Sequence, residues 1–139
     1  MKILIINGAN LNMLGVRQPE IYGCESFEVY LEALRTRYSG HTIDYYQSNI
    51  EGELVDALQR ANTEYDAVIL NAGGYTHTSV VLRDAIAAIS TPVVEGLISQ
   101  ILAREEFRHT SLIAPVAVGT ITGFGLESYR LAMDYFVGR

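Results

Sequence analysis

Short, nearly continuous apolar runs alternate with amphipathic stripes along the whole of this chain, and that alternation limits what it can fold into. Five runs read as strands: Lys2–Asn7, Thr42–Gln47, Ala67–Asn71, Pro92–Glu95 and Pro115–Gly119. Three of them, containing ILII, AVIL and VAV, lack the polar alternation of a half-exposed strand, which suits strands covered on both faces in a parallel sheet. Between the runs, apolar residues recur at helical spacing. Phe27, Leu31, Leu34 and Tyr38 form one stripe and Leu54, Leu58 and Ala61 a second. Leu82, Ile86 and Ile89 form a third, and Leu126, Tyr129, Met133 and Phe136 a fourth. The order βαβαβαβαβα requires right-handed crossovers, with helices on both faces of one sheet. For 139 residues this predicts a single domain, 1–139. Its architecture is a three-layer α/β sandwich around a five-stranded parallel sheet of order 2-1-3-4-5. Ligands bind such sheets beyond the carboxyl ends of the strands, so the residues after each strand are the candidates for chemistry.

Composition narrows the function. Ten Lys and Arg stand against sixteen Asp and Glu, a formal net charge of −6. Such a chain lacks the basic surface that nucleic acid or anionic membrane requires, although a local pair of arginines can still hold a small anion. The single cysteine, Cys24, excludes an intrachain disulfide and a cysteine-based zinc site. No apolar run approaches the length of a membrane span. The opening MKILIING does not read as a secretory signal. The expectation is a reduced, cytoplasmic protein that binds neither membrane nor nucleic acid.

Three connections carry polar groups at strand ends. After the first strand, residues 7–23 form a connection longer than the usual βα loop and include Asn7, Asn10, Asn12, Arg17 and Tyr22. The asparagines suit turns and caps as well as ligand contacts. After the third strand comes Asn71-Ala72-Gly73-Gly74-Tyr75-Thr76-His77-Thr78-Ser79. Small residues there admit a ligand to the backbone, and Thr76 or Thr78 is placed to cap the next helix. His77 is expected in that helix's first turn, which disfavours its protonation. After the fourth strand, Arg104 to Arg108 reads either as a solvated charged helix or as an arginine clamp for a carboxylate. The sequence holds no P-loop, no nucleophile elbow and no metal-ligand spacing. Gly123-Phe124-Gly125 reads as a packing turn.

The segments NGANLNMLGVRQPEIYG, QSNIEGELVDAL, NAGGYTHTSVVLRDA and AREEFRHTSLIAPVAVGTITGFG strongly resemble the type II 3-dehydroquinate dehydratases of the shikimate pathway, in order and over nearly the whole chain. The resemblance implies a flavodoxin-like fold and the cofactor-free, metal-free elimination of water from 3-dehydroquinate to give 3-dehydroshikimate. It also implies a homo-oligomer, a dodecamer built from trimers. It assigns Tyr22 as the base that removes a C2 proton as tyrosinate. Arg17 is then the cation that lets Tyr22 ionise, since a free tyrosine titrates near ~10. Asn12 stabilises the enolate oxygen through a water. Asn71, His77 and Arg108 match positions that bind substrate hydroxyls, and the Ile98–Ser99 backbone matches the cradle for the substrate carboxylate. Asp84 matches a residue that reaches the site of a neighbouring subunit.

One stretch departs from the family pattern. Where the family reads Glu-x-His-Leu/Ile-Ser-Asn, this chain reads Glu95-Gly96-Leu97-Ile98-Ser99-Gln100. Leu97 occupies the position of the general acid and cannot donate a proton. Ala9 and Ala72 stand where prolines are usual. Glu95 is retained as the candidate to relay a proton through water, unless Leu97 fills the space left by the imidazole. The sequence therefore supports a dehydratase impaired at its acid step, or a catalytically silent member that binds a cyclic polyol-carboxylate. A nucleotide- or flavin-binding module is the reading from fold alone, and no phosphate loop supports it.

Overall fold

A computed structural model describes residues 1–16, 18, 20 and 26–138. Its centre is a parallel sheet of β1 (Lys2–Asn7), β2 (Thr42–Gln47), β3 (Ala67–Asn71), β4 (Val93–Leu97) and β5 (Gly119–Thr122), in the order 2-1-3-4-5. Among the described residues the helices are α1 (Phe27–Arg37), α2 (Glu51–Glu64), α3 (Val80–Ala88) and α4 (Glu127–Val137). β1 and β3 pair with Asn7 opposite Asn71, so both strands end at one level.

Side chains of alternate residues face opposite sides of a strand, and two separate cores result. Ile3, Ile5 and Ile69 pack with Phe27, Leu31 and Leu34 of α1 and with Tyr129, Met133 and Phe136 of α4. Leu4, Ile6, Val68 and Leu70 pack with Leu54 and Leu58 of α2 and with Leu82 and Ile86 of α3. Each fully buried aliphatic side chain stabilises by roughly 1.5–3 kcal/mol, so the four stripes hold the three layers together. Ser26 caps α1 by accepting from the Val29 N–H, and Ser79 caps α3 by accepting from the Leu82 N–H at 3.0 Å. The cap of α3 is thus Ser79, not Thr76 or Thr78.

Two further expectations change. The last strand is not Pro115–Gly119. Ala114–Val116 forms a 3₁₀ turn with Pro115 in its first positions, and β5 begins at Gly119. A proline without an N–H suits the first turn of a helix better than a strand ladder. The fourth strand likewise runs on past Glu95 to Leu97. The segment from Arg104 to Arg108 is not an α-helix. Two 3₁₀ turns, Ile101–Ala103 and Glu106–Arg108, flank an extended Arg104. The Arg104 carbonyl accepts from His109 Nε2 at 3.0 Å, and its guanidinium reaches Ser99. These contacts break the local helical pattern.

Candidate active site

The carboxyl ends of β1, β3 and β4 meet in one cavity of about 130 Å³. Its wall is built by close backbone approach between two loops. A Cβ on Gly8 would lie 2.4 Å from the Ala72 carbonyl oxygen, and Gly73 has φ +63° with its Cβ position 2.8 Å from the Ala9 carbonyl. Only glycine fits either place. The Gly8 N–H donates to the Asn71 carbonyl at 2.7 Å and locks the loops together.

Four sequence-predicted residues come together there: Asn71, His77, Ser99 and Arg108, with Leu97 and Ile98 in the same wall. Asn71 is buried, and its Oδ1 accepts from the Gly73 N–H at 3.1 Å. His77 ends the 3₁₀ turn Gly73–His77, ahead of α3 and not in its first turn. Its Nδ1 lies 2.8 Å from the Thr110 carbonyl. A carbonyl only accepts, so Nδ1 carries a proton, and a neutral His77 keeps its lone pair on Nε2. Arg108 lies over the Phe107 ring and donates from Nε to Glu105 at 2.5 Å. The carbonyl of Ser99 accepts from Thr122 Oγ1 at 2.8 Å, and that of Ile98 from the Gly125 N–H at 2.9 Å. The turn around Gly123 and Gly125 thereby anchors the end of β4.

Other expected residues stand apart. Asn12 is exposed on the 3₁₀ turn Leu11–Met13, whereas Asn10 and Leu11 line the cavity. Asp84 is exposed on α3, paired with Arg83 at 2.9 Å. Arg17 and Tyr22 lie outside the described residues.

Glu95 is fully buried and is not part of the cavity wall. Its carboxylate accepts from Thr76 at 3.1 Å, from Ser111 at 2.8 and 2.9 Å and from Thr120 at 3.2 Å. Burial pushes its carboxyl above the ordinary range, and the three hydroxyls and His77 oppose that shift. Leu97, two residues on along β4, shares its face of the sheet and is 5% exposed. The cavity therefore carries an alkyl wall beside a buried carboxyl. His109 gives its Nε2 proton to the Arg104 carbonyl and does not line the cavity.

Several contributors escape sequence reasoning. Arg104, one end of the segment read as either a solvated helix or an arginine clamp, lines the cavity and donates to Ser99 Oγ at 3.2 Å, a contact that no local spacing announces. The hydroxyl cage of Thr76, Ser111 and Thr120 and the contacts of Tyr129 with Asn7 and Asn71 join residues remote in sequence, for which no local spacing signal exists. Among the described residues, no group of three or more His, Cys, Asp or Glu is placed to hold a metal ion, and no helix is long and apolar enough to cross a membrane.

Fold and cavity together define a doubly wound α/β protein with a polar cavity at the carboxyl ends of its strands. The chain belongs to the dehydroquinase class II family, whose pattern it matches over residues 1–137. It is 54% identical to a 3-dehydroquinate dehydratase of an Exiguobacterium species, over 99% of this chain and 94% of that one. It is 49% identical to the 3-dehydroquinate dehydratase of Bacillus licheniformis, over 97% of this chain and 94% of that one. The crystal structure of a type II dehydroquinase from Butyrivibrio crossotus superposes with a TM-score of 0.95 at 42% identity, covering 99% and 97% of the two chains. That likeness extends to the flavodoxin-like arrangement of sheet and helices.

Proposed function

We propose that this chain binds 3-dehydroquinate and removes its C2 proton, but is impaired in the loss of water that follows. The observation that carries this reading is the convergence of Asn71, His77, Ser99 and Arg108 on one cavity whose wall at the acid position is Leu97. Arg108 and the Ile98–Ser99 peptide groups bind the anionic, hydroxylated substrate. Asn71 and His77 contact its hydroxyls. Tyr22, ionised beside Arg17, takes the C2 proton, and Asn12 acts through a water on the enolate oxygen. The C1 hydroxyl then has to leave with a proton. Leu97 has none to give, and Glu95 is engaged by three hydroxyls outside the cavity wall. General acid catalysis typically supplies 10²–10⁴-fold.

A spectrophotometric assay for the enone of 3-dehydroshikimate, run beside solvent-deuterium exchange at C2, tests the reading. Exchange should outpace product, and Tyr22→Phe should abolish both. Product formed as fast as exchange would show that the acid step is intact. The second reading, a silent binder, is favoured by the apolar wall at Leu97. It predicts calorimetric binding of 3-dehydroquinate with neither exchange nor product. The remaining assignments accord with a cytoplasmic enzyme that uses no cofactor and assembles from trimers into a dodecamer.

A further inference from the structure

At the carboxyl ends of β1 and β3, a chain of buried hydrogen bonds lies against the cavity and meets the reaction proposed above only at Asn71. Asn7 closes β1, Asn71 closes β3, and Tyr129 reaches both from the first turn of α4. All three are buried. The direction of every bond follows from one fixed donor. A backbone N–H only donates, so the Gly73 N–H requires Asn71 Oδ1 as its acceptor at 3.1 Å. Asn71 Nδ2 then faces Tyr129 and donates to its hydroxyl at 3.0 Å. Tyr129 has a single proton, and that proton goes to Asn7 Oδ1 at 2.7 Å. Asn7 Nδ2 in turn donates to the Tyr45 hydroxyl at 3.4 Å. The Tyr129 ring is held edge-on by Phe27, with centroids 4.9 Å apart. Burial raises the Tyr129 phenol far above its ordinary range, so it keeps its proton.

We infer that Tyr129 is a positioning residue that, together with the Gly73 N–H, holds the Asn71 amide in place, so that Asn71 offers the cavity its second Nδ2 hydrogen. The ligand atom opposite Asn71 is then an oxygen that accepts. An ammonium or an N–H at that place would meet a donor and be rejected. This inference rests on the reading of Asn71 as a substrate contact.

The test is a double-mutant cycle on Tyr129→Phe and Asn71→Ala, with 3-dehydroshikimate binding measured by calorimetry. Tyr129→Phe keeps the ring and its packing. Losing one hydrogen bond of positioning is expected to weaken binding about 3- to 10-fold. Asn71→Ala should weaken it at least as much, and the double variant should be no weaker than Asn71→Ala alone. Additive losses would overturn the inference, because a general packing role would lower binding in either background. A ligand-free readout separates this inference from the proposed function. In the wild-type protein, one Asn71 Nδ2 proton should show a nuclear Overhauser contact to the Tyr129 ring, and in Tyr129→Phe it should lose its slow solvent exchange. Contact absent in the wild type, or exchange unchanged in the variant, would overturn the positioning role. A wild-type protein that passes the magnetic resonance test but binds no 3-dehydroshikimate would overturn the proposed function alone.

Discussion

Leu97 places a branched alkyl chain in the cavity wall, two residues from a buried carboxyl on the same face of β4. Leu97→His would set an imidazole in reach of Glu95 and restore a proton donor. Turnover of 3-dehydroquinate is expected to rise about 10²–10⁴-fold, equivalent to about 3–5.5 kcal/mol of barrier. No gain in a folded variant that still binds 3-dehydroshikimate would place the defect at Gly96 or Gln100 instead. Glu95 itself yields a pH prediction. Its folded-state pKa is raised by burial, so the folded protein holds this proton more tightly than the unfolded chain. The favourable contribution is complete below the ordinary value of 4.5 and is lost as pH rises through the raised value. Glu95→Gln, neutral at every pH, should therefore gain stability relative to the parent as pH climbs from 4.5 in urea titrations. Parallel pH profiles for the two proteins would rule this out. Asn71, His77, Ser99 and Arg108 were legible in the sequence because strand ends and family motifs mark them. The partners that orient Asn71 and Glu95 were not, since Tyr129 meets Asn71 across 58 positions and Thr120 meets Glu95 across 25.

β1 and β3 could be read to their ends because each is an apolar run that closes on an asparagine, and β2 because Ile43, Tyr45 and Tyr46 suit a strand between the polar His41 and Ser48. β5 could not. It lies at the sheet edge with only Ile121 and Thr122 partly covered, so GTIT carries little apolar signal beside the preceding PVAV. The apolar side chains of PVAV serve a turn, with Val116 packed against the α2–α3 core. The same reasoning separates two glycines. Gly96 lies inside β4 with no positive φ, and a Cβ there would meet Ile69 Cγ2 at 3.6 Å, an ordinary contact. Gly96→Ala should raise unfolding free energy by about 0.5–1 kcal/mol, because alanine loses less backbone entropy in a strand. Gly8→Ala should do the reverse. Its Cβ would drive into the Ala72 carbonyl at 2.4 Å, and overpacking of that kind costs about 1–3 kcal/mol. A urea midpoint that does not fall in Gly8→Ala would contradict the loop contact that shapes the cavity, and one that does not rise in Gly96→Ala would contradict the open space beside Ile69.

Asp84 faces solvent on α3, beside the exposed Val80 and Val81, and is not in the wall of its own cavity. Val80 and Val81 lie four and three positions before Asp84, so all three share one face of α3 that a neighbouring subunit would cover. If Asp84 completes the cavity of a neighbouring copy, affinity for substrate becomes linked to assembly. Sedimentation should then find species of three times 15.4 kDa or multiples of it. Adding 3-dehydroshikimate should shift any smaller species toward them. Asp84→Ala is expected to leave the unfolding free energy of the isolated fold within the narrow range of a surface substitution, about ±0.5 kcal/mol. It should also weaken 3-dehydroshikimate binding about tenfold, as loss of one charged hydrogen-bonding partner requires. Val81→Asp adds a second carboxylate near Asp84 and should break the assembly and ligand binding together. A monomer that binds 3-dehydroshikimate with the affinity of the assembled protein would show that each cavity is complete within one chain, and Asp84 would then have no part in the site.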